Sequence, residues 1–93
     1  MPLTQRVTFK TKLQKENRIQ VPTLFRHQYK LDASEVLKVT VSVIGLLGSR
    51  ESFTAKMQKG GRIVIPKLTI TLLKHDEPTL EGYALEVILE PLY

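Results

Sequence analysis

The chain has 93 residues with no cysteine and no tryptophan, and only three phenylalanines and three tyrosines. Without cysteine, disulfides, thiolate metal sites and cysteine nucleophiles are excluded. The two histidines, His27 and His75, lie far apart and lack the paired spacing of a zinc site. No phosphate-binding glycine loop accompanies them, so no metal, no cofactor and no catalytic residue is expected, and the chain does not read as an enzyme. The longest apolar stretches, such as Ile44 to Leu47 with a glycine inside, are far too short to span a bilayer. Met1 to Lys15 carries a lysine or arginine every few residues instead of a charged-then-apolar leader, so a cytoplasmic, nucleoid-associated location is expected. Six aromatic residues are few for a protein that stacks single-stranded bases.

What remains is ordinary globular composition, with 42% hydrophobic and 25% charged residues, enough for one compact domain. The net charge is +5, which suits a polyanionic partner. It is unevenly spread. Residues 6–30 hold seven lysines and arginines against Glu16 alone, and residues 50–74 hold six against Glu51 alone. Residues 75–93 hold five acids and no lysine or arginine, which reads as a solvated acidic face.

The two basic blocks belong to an internal repeat. Shifted by 44, the stretch Phe9–Pro22 lies over Phe53–Pro66 with seven of fourteen positions identical: Phe, Lys, Gln, Lys, Arg, Ile and Pro. Leu13/Met57 and Val21/Ile65 exchange similar apolar groups. Later residues match best at a shift of 48, which pairs Glu35–Val41 with Tyr83–Leu89 and puts about four extra residues into the Asp76–Gly82 loop. Repeat one covers 6–44, a short joint 45–49, and repeat two 50–93. A copy of about 45 residues buries too little apolar surface to stand alone, so a single intertwined domain over 1–93 is expected.

Within each copy the pattern predicts strand, strand, short helix, strand. Val7, Phe9 and Leu13 alternate with Arg6, Thr8, Lys10 and Lys12, the period of a half-buried strand; Phe53, Ala55 and Met57 repeat it. Phe9 and Phe53 read as core. Tight turns follow at Lys15–Arg18 and Lys59–Arg62, where Gly60 and Gly61 supply left-handed backbone angles that Asn17 also tolerates. The short returning strands end at Pro22 and Pro66. Thr23–Lys30 then reads as a helix with Leu24, Phe25, Gln28 and Leu31 on one face. The matching Lys67–Lys74 alternates and is β-branched, a strand by pattern alone and a helix by analogy with the first copy. Glu35–Val43 and Tyr83–Glu90 are the closing strands.

Lys12 to Pro22, and again Lys56 to Pro66, present a basic strand, a turn, Arg-Ile, one variable residue, Val or Ile and then proline, followed by a short helix and an alternating valine-rich strand. This resembles the AbrB-type swapped-hairpin family, which includes transition-state regulators, archaeal chromatin proteins, the DNA-binding halves of MazE-type antitoxins and MraZ proteins. The resemblance covers nearly the whole chain. It implies a mainly β swapped-hairpin barrel that binds duplex DNA through basic hairpin residues. By position these are Lys12 and Lys56 before the turns, Arg18 and Arg62 after them, and Arg26 with His27 in the first helix. Ile70 and Thr71 replace the last two in copy two, so the halves should contact DNA unequally. Lys10, Lys15 and Lys59 join the set as basic neighbours, although each also suits a solvated strand edge that discourages aggregation.

The function expected is therefore that of an AbrB-like transcription regulator or chromatin-associated protein. Its affinity would come from counterion release by roughly six to eight lysines and arginines, with self-association open and no membrane partner. The alternative is a protein-interaction module, an antitoxin or assembly scaffold. The chain ends at Glu90-Pro91-Leu92-Tyr93, directly after the last strand and without a partner-wrapping tail, which favours DNA over that alternative.

Overall fold

The computed structural model describes residues 5–32, 34–45, 50–74 and 78–92. Six strands and two short helices follow one another as β1 (Val7–Lys12), β2 (Arg18–Gln20), α1 (Thr23–Gln28), β3 (Val36–Val43), β4 (Glu51–Lys56), β5 (Arg62–Val64), α2 (Lys67–Lys74) and β6 (Ala84–Pro91). Most of the joint expected at 45–49, and the residues Asp76 and Glu77, lie outside the described residues.

All pairing is antiparallel. One sheet has four strands in the order β1-β6-β3-β4, and a second is the two-stranded ribbon β2-β5. Each repeat's first strand therefore pairs with the other repeat's last: β1 on β6, with Phe9 opposite Val87, and β4 on β3, with Phe53 opposite Val39. Single bridges, Gln14–Arg18 and Gln58–Arg62, connect the hairpin arms. No longer ladder joins the two sheets among the described residues, so no closed barrel is present there.

The registers obey a pseudo-twofold axis. A shift of 44 carries the pair Arg18–Val64 onto Arg62–Gln20 and leaves Ile19–Ile63 in place. In the large sheet, a shift of 48 leaves Thr40–Ile88 in place and exchanges Val39–Leu89 with Val41–Val87. The backbone follows the same rule at the two ends of the ribbon. The Val21 N–H donates to the Gly61 carbonyl at 2.8 Å, as the Ile65 N–H donates to the Asn17 carbonyl at 2.8 Å.

Burial follows from the period of two. Val7, Phe9, Leu37, Val39, Val41, Leu85, Val87 and Leu89 cover the inner face of the large sheet, against Ile19, Ile63, Val21 and Ile65 from the ribbon and its ends. Phe53, Ala55 and Tyr83 are half-buried against that core. α1 docks through Phe25, whose ring centroid lies 5.7 Å from Phe9 and 6.1 Å from Tyr29. Leu24, expected on the inward face, is 72% exposed. A six-residue helix can seat few side chains on the sheet, and Phe25 with the following Tyr29 and Leu31 take those places.

Lys67–Lys74 is a helix, despite its β-branched alternation. Thr69, Ile70 and Leu73 supply its buried face, and the Ile70 N–H donates to the Pro66 carbonyl at 3.1 Å. Burial of that face outweighs the small propensity penalty of threonine and isoleucine, and the proline sets the entry.

Both hairpin turns need left-handed backbone, at Glu16 (φ 62°) and Asn17 (φ 57°) in one and Gly60 (φ 84°) and Gly61 (φ 81°) in the other. A residue with a Cβ bears roughly 1 kcal/mol there. Glu16→Gly should therefore raise unfolding free energy by about 0.5 kcal/mol, after allowing for the freer unfolded chain. Gly60→Ala, which meets nothing within 4 Å, should lower it by about 1 kcal/mol from conformation alone. Urea-denaturation midpoints at constant slope would check both.

Candidate functional site

Ile19 and Ile63 point inward from the ribbon and are wholly buried, so their neighbours point outward. The outward face of the ribbon is therefore Arg18 and Gln20 from β2, both half-buried, beside the exposed Arg62 and Val64 from β5. Arg18 faces Val64, and Gln20 faces Arg62. The two arginines are thus diagonal neighbours across the pseudo-twofold axis, roughly 7–8 Å apart at the backbone. The turn holding Lys15 adjoins the Arg18 end, and the turn holding Lys59 adjoins the Arg62 end. Both lysines are exposed.

This patch gathers Lys15, Arg18, Lys59 and Arg62 of the residues expected from sequence. One carboxylate intrudes: Glu16 Oε2 lies 3.4 Å from the Arg18 guanidinium, whose Nε also donates to the Lys15 carbonyl at 3.3 Å. Such an exposed pair contributes little to stability. It does take up part of the Arg18 charge.

Lys10, Lys12 and Lys56 go elsewhere. They sit on the outer face of the four-stranded sheet, across the core from the ribbon. There Lys10 is opposite Glu86, and Arg6 forms a 3.2 Å ion pair with Glu90, which in turn is opposite Lys38. The acids of β6 so offset the cations beside them, and this face is of mixed charge. His27 is exposed in the last turn of α1. His75 lies outside the described residues.

Arg26 is half-buried, and its partners are internal. Its Nε donates to the Val21 carbonyl at 3.3 Å and an Nη to Thr23 Oγ1 at 3.0 Å. Its side chain lies over Gly61 of the other repeat, where an added Cβ would stand 2.5 Å from Arg26 Nε. The Gln20 amide donates to the Gly60 carbonyl in the same turn. Repeat one therefore grips the second hairpin turn with two side chains. Sequence reasoning missed Gln20 and the packing role of Arg26. The one available signal was that Gly61, and not Asn17, lies across from an arginine.

No protein family profile matches the chain, and no curated protein matches it. Its fold is similar to the solution structure of PHS018 from Pyrococcus horikoshii, with 21% sequence identity and a TM-score of 0.77 over 98% of this chain and 94% of that one. The fold is thus one that an experimental structure also adopts. No helix among the described residues is long and apolar enough to cross a membrane.

Gly61→Ala should cost about 2 kcal/mol, from left-handed strain and displacement of the Arg26 hydrogen bonds. In an Arg26→Ala background the same change should cost about 1 kcal/mol less, because the obstructing side chain is gone. A double-mutant cycle by chemical denaturation measures that coupling.

Proposed function

We propose that the protein binds duplex DNA through the exposed face of the β2–β5 ribbon, as an AbrB-like transcription regulator or chromatin-associated protein of swapped-hairpin type. One observation carries the reading: Arg18 and Arg62 stand symmetrically about the pseudo-twofold axis on a two-stranded ribbon, flanked by Lys15 and Lys59. The major groove of B-DNA, about 12 Å wide, admits a two-stranded ribbon, and duplex DNA carries its own local twofold axes. The exchange of outer strands between the repeats supports the swapped-hairpin element of the reading.

In this mechanism the four cations displace condensed counterions from phosphates, and either arginine reaches a base edge where the groove allows. Lys10, Lys12 and Lys56 add to the field without touching the same groove. Arg26 acts by holding the second turn. Sequence preference is modest, since Arg18 and Arg62 are the directional donors the ribbon offers, the Gln20 amide being held by the Gly60 carbonyl.

A second reading, a protein-binding module, is favoured by a single observation. Leu24 and Leu68, equivalent in the two repeats, are 72% and 69% exposed. A protein partner seated on that pair would co-purify with the wild type and be lost with Leu24→Ser/Leu68→Ser.

Fluorescence anisotropy of a labelled duplex at several salt concentrations tests the DNA reading. Wild type should bind with a log–log salt slope near −3.6, as about four phosphate contacts imply. The Arg18→Ala/Arg62→Ala variant, folded by circular dichroism, should bind at least about tenfold more weakly with a slope shallower by about 2. Unchanged binding by that variant would remove the ribbon from the reading.

A further inference from the structure

The pseudo-twofold axis is broken where Arg26 sits, and a cavity marks the break. In one half the Arg26 side chain fills the space over Gly61. The shift of 44 carries Gly61 onto Asn17 and Arg26 onto Ile70, so the equivalent place lies between Asn17 and the helix α2. Ile70 is too short to fill it. A cavity of about 280 Å3 opens there, with Asn17 on one wall and Ile70 and Leu80 on its floor. Its volume is at the small end of ligand sites, which begin at roughly 300 Å3.

The lining is chemically selective. Lys67, Thr71 and Lys74 border the cavity at intervals of four and three residues, so one face of α2 presents them together. The Thr71 hydroxyl donates to the Lys67 carbonyl at 3.0 Å. Among the described residues neither lysine has a carboxylate within ion-pair distance, and the Asn17 amide has no hydrogen-bond partner. The floor is apolar and buried, with Leu80 1% and Ile70 8% exposed. Two lysines on one face of α2 beside a cavity of this size fit a ligand with one anionic end and one compact apolar end.

We propose that this cavity is a binding site for a small organic anion, a carboxylate or phosphate ester with an apolar body. The apolar end fills the space between α2 and the Pro78–Leu80 segment, Lys67 and Lys74 take the anionic group, and Asn17 donates to it. The site adjoins the ribbon's cationic face at Asn17, but its lysines belong to α2, and it stands whether or not the ribbon binds DNA.

The test is an NMR titration of the 15N-labelled full chain with benzoate and with phenyl phosphate, using benzylamine as the cationic control. Saturable shifts should gather at Asn17, Lys67, Thr71, Lys74 and Leu80 with both anions, and not with benzylamine. Lys67→Gln/Lys74→Gln changes only polar heads at the rim and should weaken the affinity by about tenfold. Ile70→Arg should abolish binding by filling the cavity as Arg26 fills its counterpart. If that variant fails to fold, the double glutamine variant decides the matter. Absence of saturable shifts at millimolar anion would overturn the site, as would equal shifts with benzylamine or undiminished affinity in the double variant. A preference for phenyl phosphate over benzoate would assign the anionic group as a phosphate ester, and the reverse as a carboxylate.

Discussion

The contact between Ile19 and Ile63 is the constraint on which the other features rest. Both side chains are wholly buried, they face each other across the ribbon, and the pseudo-twofold axis passes between them. Each contributes about 1.5–3 kcal/mol by leaving water. The ribbon is only three residues long on each strand, so its own ladder is a weak support. Burial of this pair under the large sheet holds the two hairpins together. It also obliges the residues on either side, Arg18, Gln20, Arg62 and Val64, to face solvent. The cationic face is thus a consequence of the core.

The same constraint explains the sorting of charge. The strands of the large sheet carry Lys10, Lys38, Glu86 and Glu90 on one outer face, where cross-strand neighbours of opposite sign compensate one another. The ribbon pairs with no acidic strand among the described residues, and Glu16 lies beside Arg18. Of the cationic blocks seen in the sequence, one part is thereby spent within the sheet and another is left outward. The two halves also diverge in structure. Repeat one supplies the side chains that grip a turn, and repeat two supplies the turn that is gripped and a helix whose shorter side chain leaves a cavity.

Much of this was legible in the sequence. The repeat, with its shifts of 44 and 48, predicts the symmetry of the registers, and the alternation in Val7–Leu13 assigns each side chain to a face. Gly60, Gly61 and Asn17 mark the turns. Other features were legible only in part or not at all. Alternation tells which way a strand faces but not which strand lies beside it, so intertwining was expected from the size of a copy and from the resemblance, and the particular partners, β1 on β6 and β4 on β3, required the structure. Lys67–Lys74 reads as a strand by its own β-branched pattern and as a helix by analogy with the first copy; tertiary burial of Ile70 and Leu73 selects the helix. Lys10 and Lys12 resemble Arg18 in composition and lie on the opposite side of the core, a separation set by the path of the chain through the turn. Leu24 failed as a core residue because helical periodicity in six residues leaves its direction open.

The central claim is that the ribbon, and not the sheet, carries the DNA-binding face. The most direct measurement is the map of amide and arginine side-chain NMR shifts on adding a short duplex to the labelled protein. The account predicts perturbations concentrated at Lys15, Arg18, Gln20, Lys59, Arg62 and Val64, with Lys10, Lys12 and Lys56 little changed. Perturbations centred on the outer face of β1, β6, β3 and β4 with a silent ribbon would contradict it.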